Sequence, residues 1–102
     1  MAIGERNQGG CFELLPGVVW QPLDDGVMLL DTAKGQYFEL NPSGSRMFEL
    51  LLRESSVAAV AERLLIEFDT DLAQLRPDLD ALIEELEQAA LIRPVRPAES
   101  RS

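Results

Sequence analysis

The sequence predicts an α+β domain: a three-stranded antiparallel β-meander followed by three α-helices. Two tight-turn signals, Asp24-Asp25-Gly26 and Thr32-Ala33-Lys34-Gly35, divide the first half into short apolar runs. From Asn41 onward the apolar residues recur at three and four instead of two. The 102 residues are 46% hydrophobic and 26% charged, which suits one soluble domain and leaves no room for a second core.

The expected boundaries follow from composition. Residues 1–15 are polar, with Gly4, Gly9 and Gly10, and read as a flexible N-terminal tail. Residues 16–93 form the domain. Residues 94–102 carry Pro94 and Pro97 and read as a disordered C-terminal tail.

The first strand is Val18 to Leu23. Pro22 lacks an N–H and so belongs at an edge or a strand end. Asp25-Gly26 then supplies the turn, because glycine tolerates positive φ. Val27 to Asp31 is almost unbroken apolar sequence and takes the central place. Gly35 closes the second turn, and Gln36-Tyr37-Phe38-Glu39-Leu40 is the third strand. Alternation puts Gln36, Phe38 and Leu40 on one face, with Phe38 and Leu40 toward the core, and Tyr37 and Glu39 on the other.

Asn41 caps the first helix with Pro42 in its first position, where a missing N–H costs nothing. Met47, Phe48, Leu51 and Leu52 share its inner stripe. Ser55 or Ser56 caps the second helix, where Val57, Val60, Ala61, Leu64, Leu65 and Phe68 share one face. The third helix is expected to reach about Ala90, with Leu72, Leu75, Leu79, Leu82, Ile83, Leu86 and Ala90 inward. Pro77 within it predicts a kink or a start delayed to Arg76. The second and third helices are close enough in sequence for a helix-turn-helix, with the meander as its wing.

Charge and inventory remove several functions. Nine Lys+Arg against 18 Asp+Glu leave a net charge of -9, which repels phosphate backbones and anionic lipid. A DNA-reading helix brings Arg, Lys, Asn or Gln to the bases, whereas the third helix offers Asp78, Asp80, Glu84, Glu85 and Glu87. The sequence has no histidine and a single cysteine, Cys11, so it has neither an imidazole base nor a zinc set. No catalytic residue, metal or cofactor is expected, and no apolar run reaches the ~20 residues of a membrane span. The expected compartment is the cytoplasm.

What remains is the third strand, an edge with an apolar helix beside it. An extended peptide can add a strand there, drawing affinity from main-chain bonds and specificity from pockets under alternate side chains. The alternatives are that the N-terminal tail covers this edge, or that two copies of the chain pair through it as a homodimer.

The span Asp24-Asp25-Gly26-Val27-Met28-Leu29-Leu30-Asp31, then Gly35-Gln36-Tyr37-Phe38-Glu39-Leu40-Asn41-Pro42, resembles PqqD-like proteins, the RiPP precursor recognition elements. Within them it is most similar to the stand-alone recognition proteins of lasso peptide clusters. The likeness runs on through Gly44, the helix from Val57 to Phe68, the Asp78-Leu79 pair and Leu86 to Ile92. It implies a winged helix-turn-helix that binds the leader of a ribosomal precursor peptide without doing chemistry. The leader would lie antiparallel to the third strand, on the backbone of Gln36, Tyr37, Phe38, Glu39 and Leu40. Phe38, Leu40, Leu75, Leu79, Leu82 and Ile83 would line its pockets, with Asp78 at the rim. The implied partners are a leader-cleaving cysteine protease and an ATP-dependent cyclase. Two other functions fit the same residues: a PqqD-like partner of a radical enzyme on another peptide pathway, and an acidic winged-helix protein-interaction module in transcription. At the end of the third helix this sequence has Ala89-Ala90, where relatives often carry glycine.

Overall fold

Leu23 and Gly26 face each other across the two-residue turn Asp24-Asp25, and this hairpin sets the register of the whole sheet. A computed structural model describes residues 10–95. Its elements are β1 (Phe12–Leu14), β2 (Val18–Leu23), β3 (Gly26–Asp31), β4 (Gln36–Leu40), α1 (Pro42–Leu51), α2 (Val57–Glu67), α3 (Leu72–Gln88) and β5 (Ile92–Pro94). The main sheet is antiparallel in the order β2-β3-β4, so the expected α+β arrangement is the one found, with β3 central.

Both expected turn glycines take positive φ, and Gly26 has a second reason to be glycine. Gly26 is already a strand residue, and a Cβ there would lie 1.9 Å from the carbonyl oxygen of Leu40. Glycine is needed there on two counts, because its φ is positive at 158 and because the end of β4 passes too close for a Cβ. Gly35, at φ 70, does occupy the left-handed turn position. Asp31 is buried beside it, and its carboxylate accepts from the amides of Ala33 and Lys34 at 3.0 and 3.2 Å. That Asx turn is what satisfies the buried charge.

The three helices cover one face of the sheet. Val27 and Leu29 point into a core completed by Phe48, Leu50 and Leu51 of α1, Val60 and Leu64 of α2, and Leu79 and Leu86 of α3. Each such side chain contributes about 1.5–3 kcal/mol by leaving water. Trp20 of β2 meets Phe48 edge-on at 5.5 Å, which joins the far strand to the first helix. The caps are Asn41, Ser56 and Asp71, whose side chains accept from Gly44, Ala59 and Gln74.

Three expectations need correction. The tail expected over 1–15 contains β1, which pairs with β5 from Phe12↔Pro94 to Leu14↔Ile92. Phe12 is buried in the core, so this clasp is part of the domain, and Pro94 lies within it. Cys11 likewise is half-buried, its thiol 3.7 Å from the Leu51 carbonyl, and burial pushes its pKa up, away from a reactive thiolate. The remainder of the two expected tails, residues 1–9 and 96–102, lies outside the described residues.

Second, α3 is not delayed to Arg76. It starts at Leu72 on its Asp71 cap and continues through Pro77, which sits on the exposed side of the helix. The carbonyl left without its donor, that of Ala73, belongs to an exposed residue and can turn to water. Third, Leu72 is 49% exposed, because the first helical position stands beyond the core. At the other end α3 stops at Gln88, and Ala90 takes φ 60. Ala90 donates to Glu87 and Leu91 to Leu86, both at 3.0 Å, which is a Schellman stop built on alanine.

Candidate functional site

Because β3 pairs only one side of β4, the other side of β4 is bonded to no strand among the described residues. The N-terminal segment does not cover it from residue 10 on, since β1 pairs with β5. β4 carries no proline, so every residue from Gln36 to Leu40 keeps its N–H. Tyr37, 67% exposed, stands out from it.

Facing this edge across a trough is α3. A cleft of about 390 Å³ lies between Phe38, Glu39 and Leu40 of β4 and Asp78, Ala81, Leu82 and Glu85 of α3. Asn41, Ser43, Gly44 and Met47 of the α1 start close its third side. Small residues keep it open: Ala81 on one wall and Gly44 on the other. A second hollow of about 50 Å³ lies at the opposite end of β4, among Asp31, Gln36, Tyr37, Phe38, Ala89 and Leu91. Phe38 belongs to both, so it divides the trough. Asp78 to Glu85 flank the end of β4 and Ala89 flanks its beginning, so α3 runs against the direction of β4.

Of the residues expected to form the site, Phe38, Glu39, Leu40, Asp78 and Leu82 line the cleft between β4 and α3, and Gln36 and Tyr37 line the small hollow. Leu75 and Leu79 are 4% and 0% exposed and belong to the core under the trough. Ile83 is half-buried against that core. Leu79 and Leu82 share an apolar stripe in the sequence, and only the depth of packing separates wall from interior. Met47, Gly44, Ala81 and Glu85 line the cleft without having been expected there. An Ala at 81, between two acids and a Leu, carries no signal until α3 is placed against β4.

The floor is apolar, from Met47, Leu82 and the half-buried Phe38. Its rim carries the carboxylates of Glu39, Asp78 and Glu85. A strand-shaped guest could add to the edge while setting alternate side chains into the cleft. Among the described residues no group of three or more His, Cys, Asp or Glu side chains is arranged to hold a metal ion.

Residues 26–92 match the sequence profile of PqqD, coenzyme PQQ synthesis protein D. The chain belongs to the PqqD family. The matched span begins at β3 and ends in β5, so it contains the whole trough of this PqqD-family protein. Two solved structures share its fold. One, "Lasso peptide synthetase B1 complexed with the leader peptide", is 29% identical, with a TM-score of 0.74 over 83% of this chain and 100% of that one. The other, "TbiB1 in Complex with the TbiA(beta) Leader Peptide", is 27% identical, with a TM-score of 0.71 over 82% and 98%. No curated protein sequence matches the chain.

Proposed function

We propose that this PqqD-family protein binds the leader segment of a ribosomally made precursor peptide by strand addition to β4, and acts in lasso peptide maturation without catalysing a step. The observation that carries the reading is an unpaired strand edge with a trough alongside it, in a chain similar over most of its length to two proteins solved with leader peptides. The guest lies antiparallel to β4, its backbone on residues 36–40. One side chain enters the cleft over Met47 and Leu82, and another enters the hollow beside Ala89. Leu75, Leu79 and Ile83 support the trough from below.

The bound precursor is then presented to a leader-cleaving cysteine protease and an ATP-dependent cyclase in the cytoplasm. The protein needs no cofactor for this role. Holding a substrate segment by its main chain positions it for chemistry done elsewhere.

The test is a titration of isotopically labelled protein with the precursor peptide encoded beside its gene, followed by amide NMR. Shifts should cluster on Gln36 to Leu40 and on Asp78 to Glu85. Ala81→Arg, an exposed helical site where a long side chain fills the cleft, should abolish those shifts and keep the circular dichroism spectrum. Leader binding that survives Ala81→Arg, or shifts confined to β2, would refute the assignment.

A further inference from the structure

The trough is electrically uneven along its length, and this bears on which side chain its guest carries. At the Leu40 end the wall presents Asp78 and Glu85, two helical turns apart or about 10 Å along the axis, with Ala81 and Leu82 between them. Neither carboxylate has an ion-pair partner among the described residues, and the nearby base, Arg76, is held by Asp80 at 3.0 Å. The hollow at the Gln36 end has one acid, Asp31, whose carboxylate is already bonded to two backbone amides. One end of the groove therefore carries three carboxylates, Glu39 of β4 as well as Asp78 and Glu85, over an apolar ledge, and the other carries a single carboxylate already taken up by the backbone.

We propose that the groove selects a peptide segment bearing a lysine or arginine next to its apolar anchor on the same face, with the cation at the rim formed by Asp78 and Glu85. This deepens the leader-binding reading and rests on it: the open edge and the cleft make the site, and the carboxylates decide which side chain it takes. Same-face neighbours on a strand are about 7 Å apart, so a residue two places from the one over Met47 and Leu82 stays within reach of the rim. A long basic side chain suits this lining, because its stem can lie along Ala81 and Leu82 while its head stays wet beside the carboxylates. Exposed pairs of this kind set association rate and partner choice more than affinity.

The experiment pans displayed random peptides of about twelve residues on three proteins: the wild type, Asp78→Asn/Glu85→Gln, and a charge-matched control, Glu62→Gln/Glu87→Gln. Wild type and control should enrich Lys or Arg two places from a large apolar residue, and the rim variant should lose that preference. A selected peptide should bind the rim variant about 2- to 10-fold more weakly at low salt, and its Lys→norleucine counterpart should bind both proteins equally. Enrichment unchanged in the rim variant, or equal losses in the rim variant and the control, would overturn the inference and leave the groove itself standing. Recovery of no peptide by the wild type would overturn both.

Discussion

The main sheet has two outer strands, and the sequence treats them in opposite ways. β2 carries Pro22 near its end, which removes one N–H from the strand, and its last residues Gln21, Pro22 and Leu23 are exposed. β4 has no proline and lies beside a helix across an open trough. Free edges invite unwanted pairing, and proline is a common guard against it. Guarding one edge and leaving the opposite one complete is the pattern that the proposed strand addition requires. The helix adds what a bare edge lacks. Main-chain bonds are alike for every sequence, so a wall of side chains is needed to choose among guests.

The comparison breaks most sharply under proline. Along an edge strand alternate residues turn their N–H groups to opposite sides, so of Tyr37 and Phe38 one donates toward β3 and the other outward. Tyr37→Pro and Phe38→Pro should therefore differ in kind. One should cost about 3 kcal/mol or more of folding stability, and the other should stay folded and lose leader binding, as read by urea denaturation and calorimetric titration side by side. Pro22→Thr on β2 should leave binding one-to-one, since no residue of β2 lines the trough. Unchanged affinity in both β4 variants would end the strand-addition reading. Leu79→Ala tests the division between core and wall. It should destabilise by about 2–3 kcal/mol, and peptide affinity should be unchanged under conditions where the protein is still folded.

Most of the fold could be read from the chain because its signals are local. The turn glycines Gly26 and Gly35, the caps at Asn41 and Ser56 and the helical stripes each lie within a few residues of sequence. The β1–β5 clasp joins the two ends of the domain with strands of three residues each, too short to show alternation, and so composition alone read as tails. The site divides the same way. Gln36 to Leu40 were legible as a strand after a turn glycine. On α3, Leu79 and Leu82 fall on one stripe, and only the depth of the third dimension assigns the first to the core and the second to the trough. Pro77 misled for a related reason. The rule that proline delays a helix assumes the orphaned carbonyl is costly, and here it belongs to an exposed turn.

The trough's less acidic end offers a smaller test. Ala90 holds a left-handed conformation that costs an alanine roughly 1 kcal/mol relative to glycine, directly after the residue that lines the hollow beside Gln36. Ala90→Gly should raise folding stability by about that amount, measured from the urea midpoint at unchanged slope. Binding should not change if the strain belongs to the helix stop alone. A gain in stability accompanied by weaker binding would show instead that the conformation at Ala90 shapes the hollow.

The smallest effect should come from the side of the helical layer that has no part in the trough. Arg46 of α1 grips Glu67 of α2 through two bonds of 2.7 Å and reaches Glu49 at 3.0 Å, while Arg63 approaches Glu67 at 3.5 Å. The Arg46 hydrogen bonds hold the Glu67 carboxyl below its ordinary 4.5 and raise the Arg46 guanidinium further. A carboxylate with a depressed folded-state pKa contributes stability above its unfolded value and loses it as the pH falls through the folded one. Glu67→Gln should thus be slightly less stable than the wild type at pH 7, more so at low salt because the pair is exposed. The two should converge below pH 4.5, where the wild-type carboxyl takes up its proton. Peptide affinity should be identical throughout. A binding change in Glu67→Gln would mean that α1, whose start closes the cleft at Gly44 and Met47, moves when its far side is released, and that the two sides of the helical layer are not independent.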